Sequence, residues 1–154
     1  MDFYYGAVLA TLFSHNVVPA LVENGESRRI YKFATNNGDF ILVVKYRAST
    51  NTSNPDSKSW TFVIKDDIST LTEFINSKTN VLLALVCATE DLKNSELACL
   101  DSTDIKNILL SKKESITINR KKNKKFFKIS VDRKVEDGWD VKANKLDEFI
   151  ACKE

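Results

Sequence analysis

The sequence is poor in the side chains that most often carry catalysis or bind metals. It contains a single histidine, His15, so a Cys/His catalytic pair would have to use it, and no second histidine can share a metal ion with it. There are three cysteines, an odd number, and Cys87 and Cys99 lie in apolar runs, where a free thiol behaves as a small hydrophobic side chain. We therefore expect buried structural thiols and no metal site.

The motifs of several common enzyme classes are absent as well. The chain has no Walker loop, no GxGxxG, no GxSxG and no CxxC. Nucleotide hydrolysis by a P-loop, dinucleotide binding, serine-hydrolase chemistry and a zinc ribbon are therefore without support. We predict no cofactor and assign no catalytic residue, and the sequence favours a protein without enzymatic activity.

Long hydrophobic runs are also missing. The longest, VLLALVCA, has eight residues, whereas about 20 are needed to span a bilayer. The N-terminal segment MDFYYGAVLATLF has Asp2 where a signal peptide would have basic residues. We therefore expect a cytoplasmic protein with no membrane partner.

What the sequence does contain is the composition of one globular domain. Its 154 residues are 43% hydrophobic and 29% charged, which is too apolar for intrinsic disorder and matches the size of an ordinary single domain. We assign residues 1–154 to one domain.

The first third of the chain predicts a helix followed by a meander. A helix over Asp2–Ser14 would place Phe3, Ala7, Ala10 and Phe13 in one apolar stripe on its buried side, with Val8 and Leu12 alongside. Three short strands follow, ending in FILVVKYR, and turn-forming residues separate them. The next stretch, residues 48–59, is rich in Ser, Thr and Asn and is predicted to be an exposed loop.

The later segments complete a layered fold. A strand SWTFVIKD is followed by a helix capped by Asp67 or Ser69, and VLLALVCAT reads as a central strand covered on both faces. The strand ELACLD and a helix from Ser102 precede two final alternating strands. This order predicts an α+β or α/β single layered domain in which helices flank a mixed β-sheet.

The strand FILVVKYR ends in three polar side chains, Lys45, Tyr46 and Arg47. In a PD-(D/E)xK nuclease such a strand carries a carboxylate two residues before the lysine, which holds Mg²⁺ beside the scissile phosphate. Val43 occupies that position here. A metal centre would have to recruit acids from elsewhere, such as Glu23, Glu26 or Asp66. The other interpretation is a strand end whose charges lie in solvent.

Several segments together resemble a known group of proteins. The strings DFYYGAVLATLF, VPALVE, RRIYKF, FILVVKYR, SWTFVI, LLALVC, SITINR and KKFFKISV are similar to those of a family of small uncharacterised bacterial proteins, over nearly the whole chain. That family in turn resembles a degenerate PD-(D/E)xK, or restriction-endonuclease-like, fold. The resemblance implies an αβββαβ core and an accessory role in bacteria or their mobile elements. It transfers no catalytic residue, because Val43 replaces the acid.

Positive charge is concentrated in one segment. Between Lys112 and Lys128 there are eight basic residues and one acid, a local charge of +7, whereas the rest of the chain carries 15 basic and 20 acidic residues, a charge of −5. The run RKKNKK separates two alternating strands, which predicts a basic β-hairpin over residues 112–131 with Asn123 near its turn. Such a hairpin can neutralise nucleic-acid phosphates. The candidate binding residues are Arg120, Lys121, Lys122, Lys124 and Lys125, supported by Arg47 and Lys45.

Other interpretations of the basic run stay open at this point. It could be a solvated turn that resists edge pairing, or a surface for an acidic protein. One of Arg28 and Arg29 is expected to point outward and to join Arg47 in an anion site.

Three functions are compatible with these patterns. The first is a non-catalytic nucleic-acid-binding or accessory module on a nuclease-like fold. The second is a protein-interaction module, such as an immunity, antitoxin-like or regulatory protein, that uses sheet edges and exposed aromatic side chains. The third is a metal-dependent nuclease with migrated acids. The candidate partners are thus a nucleic acid or a protein, and no particular oligomeric state is indicated.

Overall fold

The computed structural model describes residues 2–14, 16–35, 38–47, 57–89, 95–131, 138–143 and 146. This part of the chain contains three α-helices, one 3₁₀ turn and nine strands. In chain order they are α1 (Asp2–Ser14), β1 (Ala20–Asn24), β2 (Arg29–Thr35), β3 (Gly38–Arg47), β4 (Ser57–Val63), the 3₁₀ turn (Lys65–Asp67), α2 (Ile68–Asn76), β5 (Val81–Cys87), β6 (Glu96–Leu100), α3 (Ser102–Ser111), β7 (Ser115–Lys121), β8 (Phe126–Val131) and β9 (Trp139–Lys142). This content confirms the predicted α+β class.

The first sheet has the strand order β1-β2-β3-β5-β6. β1, β2 and β3 pair antiparallel in succession, as predicted for the meander, and β3 pairs with β5 in parallel. A parallel pair needs a long crossover connection, and here the crossover contains β4 and α2. β6 returns antiparallel to β5, so the sheet is mixed. β5 is buried along its whole length, as its uniformly apolar sequence predicts.

The second sheet, with the order β4-β7-β8-β9, is antiparallel throughout. Its presence differs from the expectation of one sheet, because β4 pairs with the distant β7 and not with the meander. The structure also corrects the predicted loop at 48–59. Ser57, Lys58 and Ser59 belong to β4, where they pair with the equally polar end of β7, and residues 48–56 lie outside the described residues.

Each face of the first sheet packs against a different layer. One face shares a core with the second sheet, α2 and α3, whose large buried side chains include Trp60, Leu71, Leu83, Leu100, Ile105 and Phe127. The opposite face packs against α1 through Tyr5, Val8 and Leu12, which share one side of the helix. Val8 and Leu12, predicted alongside the apolar stripe, are thus buried, whereas Ala10 is exposed and Phe13 is 54% exposed, so this part of the predicted stripe is wrong. The side chains of Phe3 and Ala7 are outside the described ones.

Candidate functional site

Lys45, the lysine near the end of β3, lies inside the molecule. Its ammonium donates a 2.6 Å hydrogen bond to Asp67 Oδ2, and 6% of the residue is exposed. Arg28 Nη1 donates to the other oxygen of Asp67 at 2.8 Å, and Arg28 Nε donates to Glu23 Oε2 at 2.7 Å. These four alternating charges, the buried charge network, connect β1, the residue before β2, β3 and the start of α2.

The charges of this network compensate one another. Asp67 is completely buried, and each of its two carboxylate oxygens accepts a hydrogen bond from a cation, Lys45 or Arg28. It stands at the N-cap of α2 without making the predicted capping hydrogen bond, since Lys45 and Arg28 use both its oxygens. The hydrogen bond from Arg28 lowers the pKa of Glu23, and the same bond raises the pKa of Arg28.

The network does not form the acid cluster of a metal-dependent nuclease. Val43 lies in the core, and Glu23 is held by an arginine. Within the described ranges, no group of three or more His, Cys, Asp or Glu side chains is arranged to hold a metal ion. The interpretation of Lys45 as a solvent-exposed strand end is also wrong. Its charge is already neutralised in the interior, which removes it from the candidate phosphate contacts.

One of Arg28 and Arg29 was expected to point outward and join Arg47 in an anion site, but neither side chain is free to do so. Arg28 is used by Glu23 and Asp67, and the guanidinium of Arg29 lies over the Tyr5 ring, 4.3 Å from its centroid. Arg47 is exposed at the end of β3. The expected site does not form because Arg28 and Arg29 each have their own interaction within the fold.

Four lysines project from the turn between β7 and β8. The backbone N–H of Lys124 donates to the Lys121 carbonyl at 3.2 Å, and Asn123 takes a left-handed conformation with φ of 66°, which asparagine tolerates well. All four side chains are exposed, and none has a carboxylate partner among the residues that the structure describes. We call this group the lysine turn, and its members are Lys121, Lys122, Lys124 and Lys125.

Arg120, the fifth basic residue of the predicted set, points the other way. Side chains alternate along a strand, so Arg120 faces the first sheet while Lys121 faces outward. Arg120 Nε donates to Glu96 Oε1 at 3.0 Å, and its guanidinium lies 5.4 Å from the Phe127 ring centroid. Arg120 therefore fastens β7 to β6 and is not presented with the lysine turn. Arg47, the other arginine of the predicted set, lies on β3. Its backbone is about 10 Å from that of Glu96, because β5 lies between the two strands.

A groove runs across the outer face of the second sheet beside the lysine turn. Its volume is about 460 Å³, and Phe126, which is 45% exposed, forms part of its wall. Lys128 also lines it and contacts Asp140 at 3.3 Å. The complete lining is Ser57, Asn119, Lys121, Lys124, Phe126, Lys128 and Asp140.

Neither this groove nor its aromatic residue was predicted from the sequence. The alternation in KKFFKIS does indicate that one of two adjacent phenylalanines points outward, and the structure shows that Phe126 does so while Phe127 is buried. No local pattern could have placed Ser57 and Asp140 beside it. Ser57 lies there because β4 pairs with β7, and Asp140 lies there because β9 pairs with β8.

The thiols give no second site among the described residues. Cys87 and Cys99 are buried and free, as expected. Burial raises the pKa of Cys87 well above its usual value, which keeps the thiol protonated and unreactive. His15 and Cys152 lie outside the described residues.

Comparisons with protein-family models, with curated proteins and with solved structures found no match for this chain. In the described ranges, α1, α2 and α3 all fall short of the length and apolarity that crossing a bilayer requires.

Proposed function

We propose that this chain is a non-catalytic nucleic-acid-binding module that holds backbone phosphates with the lysine turn. One observation carries the proposal. Four exposed lysines without acidic partners in the described structure stand together beside a groove with an exposed aromatic ring. Clustered lysines of this kind neutralise phosphates and release counterions, which gives affinity without reading sequence.

Edge protection explains this lysine cluster poorly. Lysines protect a sheet when they lie on an unpaired edge strand. β7 and β8 are the two inner strands of the second sheet, and its edges are β4 and β9. The lysine turn therefore joins strands that already have neighbours on both sides, which favours a role in binding.

The buried charge network supports the non-catalytic part of the proposal. The lysine at the position of a nuclease motif is bound to Asp67, and the fully buried Val43 stands where the acid would be. The order α1, β1 to β3, α2 and β5 fits the αβββαβ core implied by the resemblance, with β4 of the second sheet inserted between β3 and α2. A restriction-endonuclease-like core, and an accessory role in bacteria or their mobile elements, stay predictions.

The salt dependence of binding tests this proposal. If all four lysines contact phosphates, log K for a single-stranded probe falls against log salt with a slope of about −2.8, and for a duplex with a slope of about −3.6. Replacing the four lysines of the turn by glutamine should lower affinity at 0.1 M salt by on the order of 10²–10³ and flatten the slope. Fluorescence anisotropy measures both quantities.

The control removes the same charge from a distant surface. Four exposed lysines near α2 and α3 are replaced by glutamine, and their loss should leave most of the affinity intact. Absence of binding at low salt, a slope near zero, or an equal loss in the control would refute the proposal. The control residues are Lys65, Lys78, Lys106 and Lys112.

A protein-interaction module is the second candidate, and the edge of the first sheet favours it. β1 is an edge strand in which Leu21 and Val22 are 52% and 60% exposed, and Val18, just before it, is 76% exposed. Exposed apolar side chains beside an edge strand suit the addition of a partner's strand. A pull-down from nuclease-treated extract separates the candidates, because a protein partner that is lost when Leu21 and Val22 become lysine would support this one.

A further inference from the structure

We infer that the nucleic acid bound at the lysine turn is single-stranded and that one of its bases stacks on Phe126 in the groove. This inference rests on the proposed function and adds the form of the nucleic acid and the residue that recognises it. Its basis is the arrangement of charges around the aromatic ring on the outer face of the second sheet.

The strand register places Phe126 in a row between two lysines. Ser57 of β4 pairs with Lys121 of β7, and Phe126 of β8 pairs with Lys142 of β9. The β7–β8 register, continued by one pair, sets Phe126 opposite Lys121. Neighbouring strands are about 4.8 Å apart, so the ring has a lysine on the strand to either side.

Further cations lie close to the same ring. Lys128 pairs with Asn119, which makes it a diagonal neighbour of Lys121 at about 7–8 Å. Lys124 lies across the tight turn from Lys121, and such turns bring the Cα atoms within about 7 Å. Lys121, Lys124, Lys128 and Phe126 all line the groove, so a ligand in it meets positive charge and an aromatic surface together.

A basic groove with an exposed aromatic ring suits a single-stranded nucleic acid better than a duplex. In a duplex the bases are stacked on one another and present only their edges in the grooves. A ring on a sheet face can meet the face of a base only when that base is unstacked. Proteins that bind single strands combine a basic groove with aromatic platforms, and this groove, with Phe126 45% exposed, has both parts.

The experiment separates stacking from phosphate binding by using probes that differ only in their bases. Anisotropy is measured with an oligothymidylate of about 12 nucleotides, an abasic strand of equal length and a duplex of equal length. The wild type should bind the oligothymidylate more tightly than the abasic strand. Phe126→Ala should weaken oligothymidylate binding by about 5- to 140-fold and leave abasic binding unchanged.

Two further variants test whether the effect comes from the ring itself. Phe126→Trp keeps an aromatic face and should restore oligothymidylate binding. Phe13→Ala removes a similarly exposed phenylalanine from α1, on the opposite side of the first sheet, and should change nothing. Thermal melts of all variants confirm that each is folded.

The outcomes distinguish this inference from the function on which it rests. Equal affinity for the abasic and thymidylate strands, a preference for the duplex, or an unchanged Phe126→Ala variant overturns the stacking inference. The proposed function survives those results if the lysine-turn variant still loses affinity for every probe. A wild-type protein that binds none of the three probes overturns both.

Discussion

The buried charge network and the lysine turn use the same side chain for opposite purposes. At Lys45 the ammonium lies in the core and donates to a carboxylate at 2.6 Å. At the lysine turn, four ammonium groups lie in solvent beside a groove and have no carboxylate partner in the described structure. The role of a lysine here depends on whether the fold brings a counter-charge to it. Lys45 has one and contributes to the interior of the fold, whereas the lysines of the turn are the group proposed to bind phosphates.

The largest expected effect comes from removing the central acid of the network. Asp67→Asn leaves two cations facing a neutral group in the core, and breaking a buried pair in this way costs about 3–5 kcal/mol of unfolding free energy. Urea denaturation measures the loss. The matched control is Asp140→Asn at the exposed Lys128 pair, for which about 0–1 kcal/mol is expected. Similar losses in both variants would remove the distinction between the two regions.

The reverse effect is expected at the lysine turn. Replacing its four lysines by glutamine should change the unfolding free energy by less than about 0.5 kcal/mol per site, since the side chains are exposed. Binding by the wild type should weaken roughly 50-fold between 50 and 200 mM salt, and binding by the variant should respond far less. A large drop in stability would show that the turn has a structural role.

Two adjacent residues allow the same comparison at closer range. Arg120→Met removes the hydrogen bonds to Glu96 and to the Phe126 carbonyl while keeping contact with the Phe127 ring, so it should cost about 1–2 kcal/mol of stability and leave the salt slope unchanged. Lys121→Gln should leave stability unchanged and make the slope shallower by about 0.7. If Arg120→Met changes the slope and Lys121→Gln does not, the assignment of the two faces is wrong.

The smallest expected effect is a pH dependence at the outer end of the network. Arg28 lowers the pKa of Glu23, so this pair stabilises the fold above the ordinary glutamate pKa of 4.5, and the contribution is lost as pH falls through the lower folded value. Melting temperatures of the wild type and Glu23→Gln should therefore converge as the pH falls from about 5. A difference that persists at acid pH would mean that the carboxylate charge does not carry the effect.

The local features of the fold could be predicted from the sequence. The uniform apolar run of β5 indicated a strand covered on both faces, and the turn residues separated β1, β2 and β3 correctly. Period and composition are sufficient for such elements because each depends on neighbouring residues alone. The same reasoning located the run RKKNKK between two strands that do pair with each other.

The incorrect predictions concern contacts between residues that are far apart in the chain. The second sheet exists because β4 pairs with β7, and Lys45 is buried because Asp67 reaches it from the turn before α2. Nothing in KYR or KDD alone indicates that contact. The buried face of α1 was predicted only in part. Val8 and Leu12 are buried as expected, but Ala10 and Phe13 are exposed, because the apolar residues are spread around the helix and its packing selects the buried side.

In the chain, β4 lies between β3 and β5 of the first sheet, but it pairs within the second sheet. Any single cut therefore leaves at least one of the described sheets short of a strand. A fragment that starts at β7 keeps every lysine of the turn yet loses Ser57 and the rest of the strand beside β7. If the basic segment were excised and fused to another protein, the side of β7 that pairs with β4 would be exposed. The fusion would then need another strand to pair with β7.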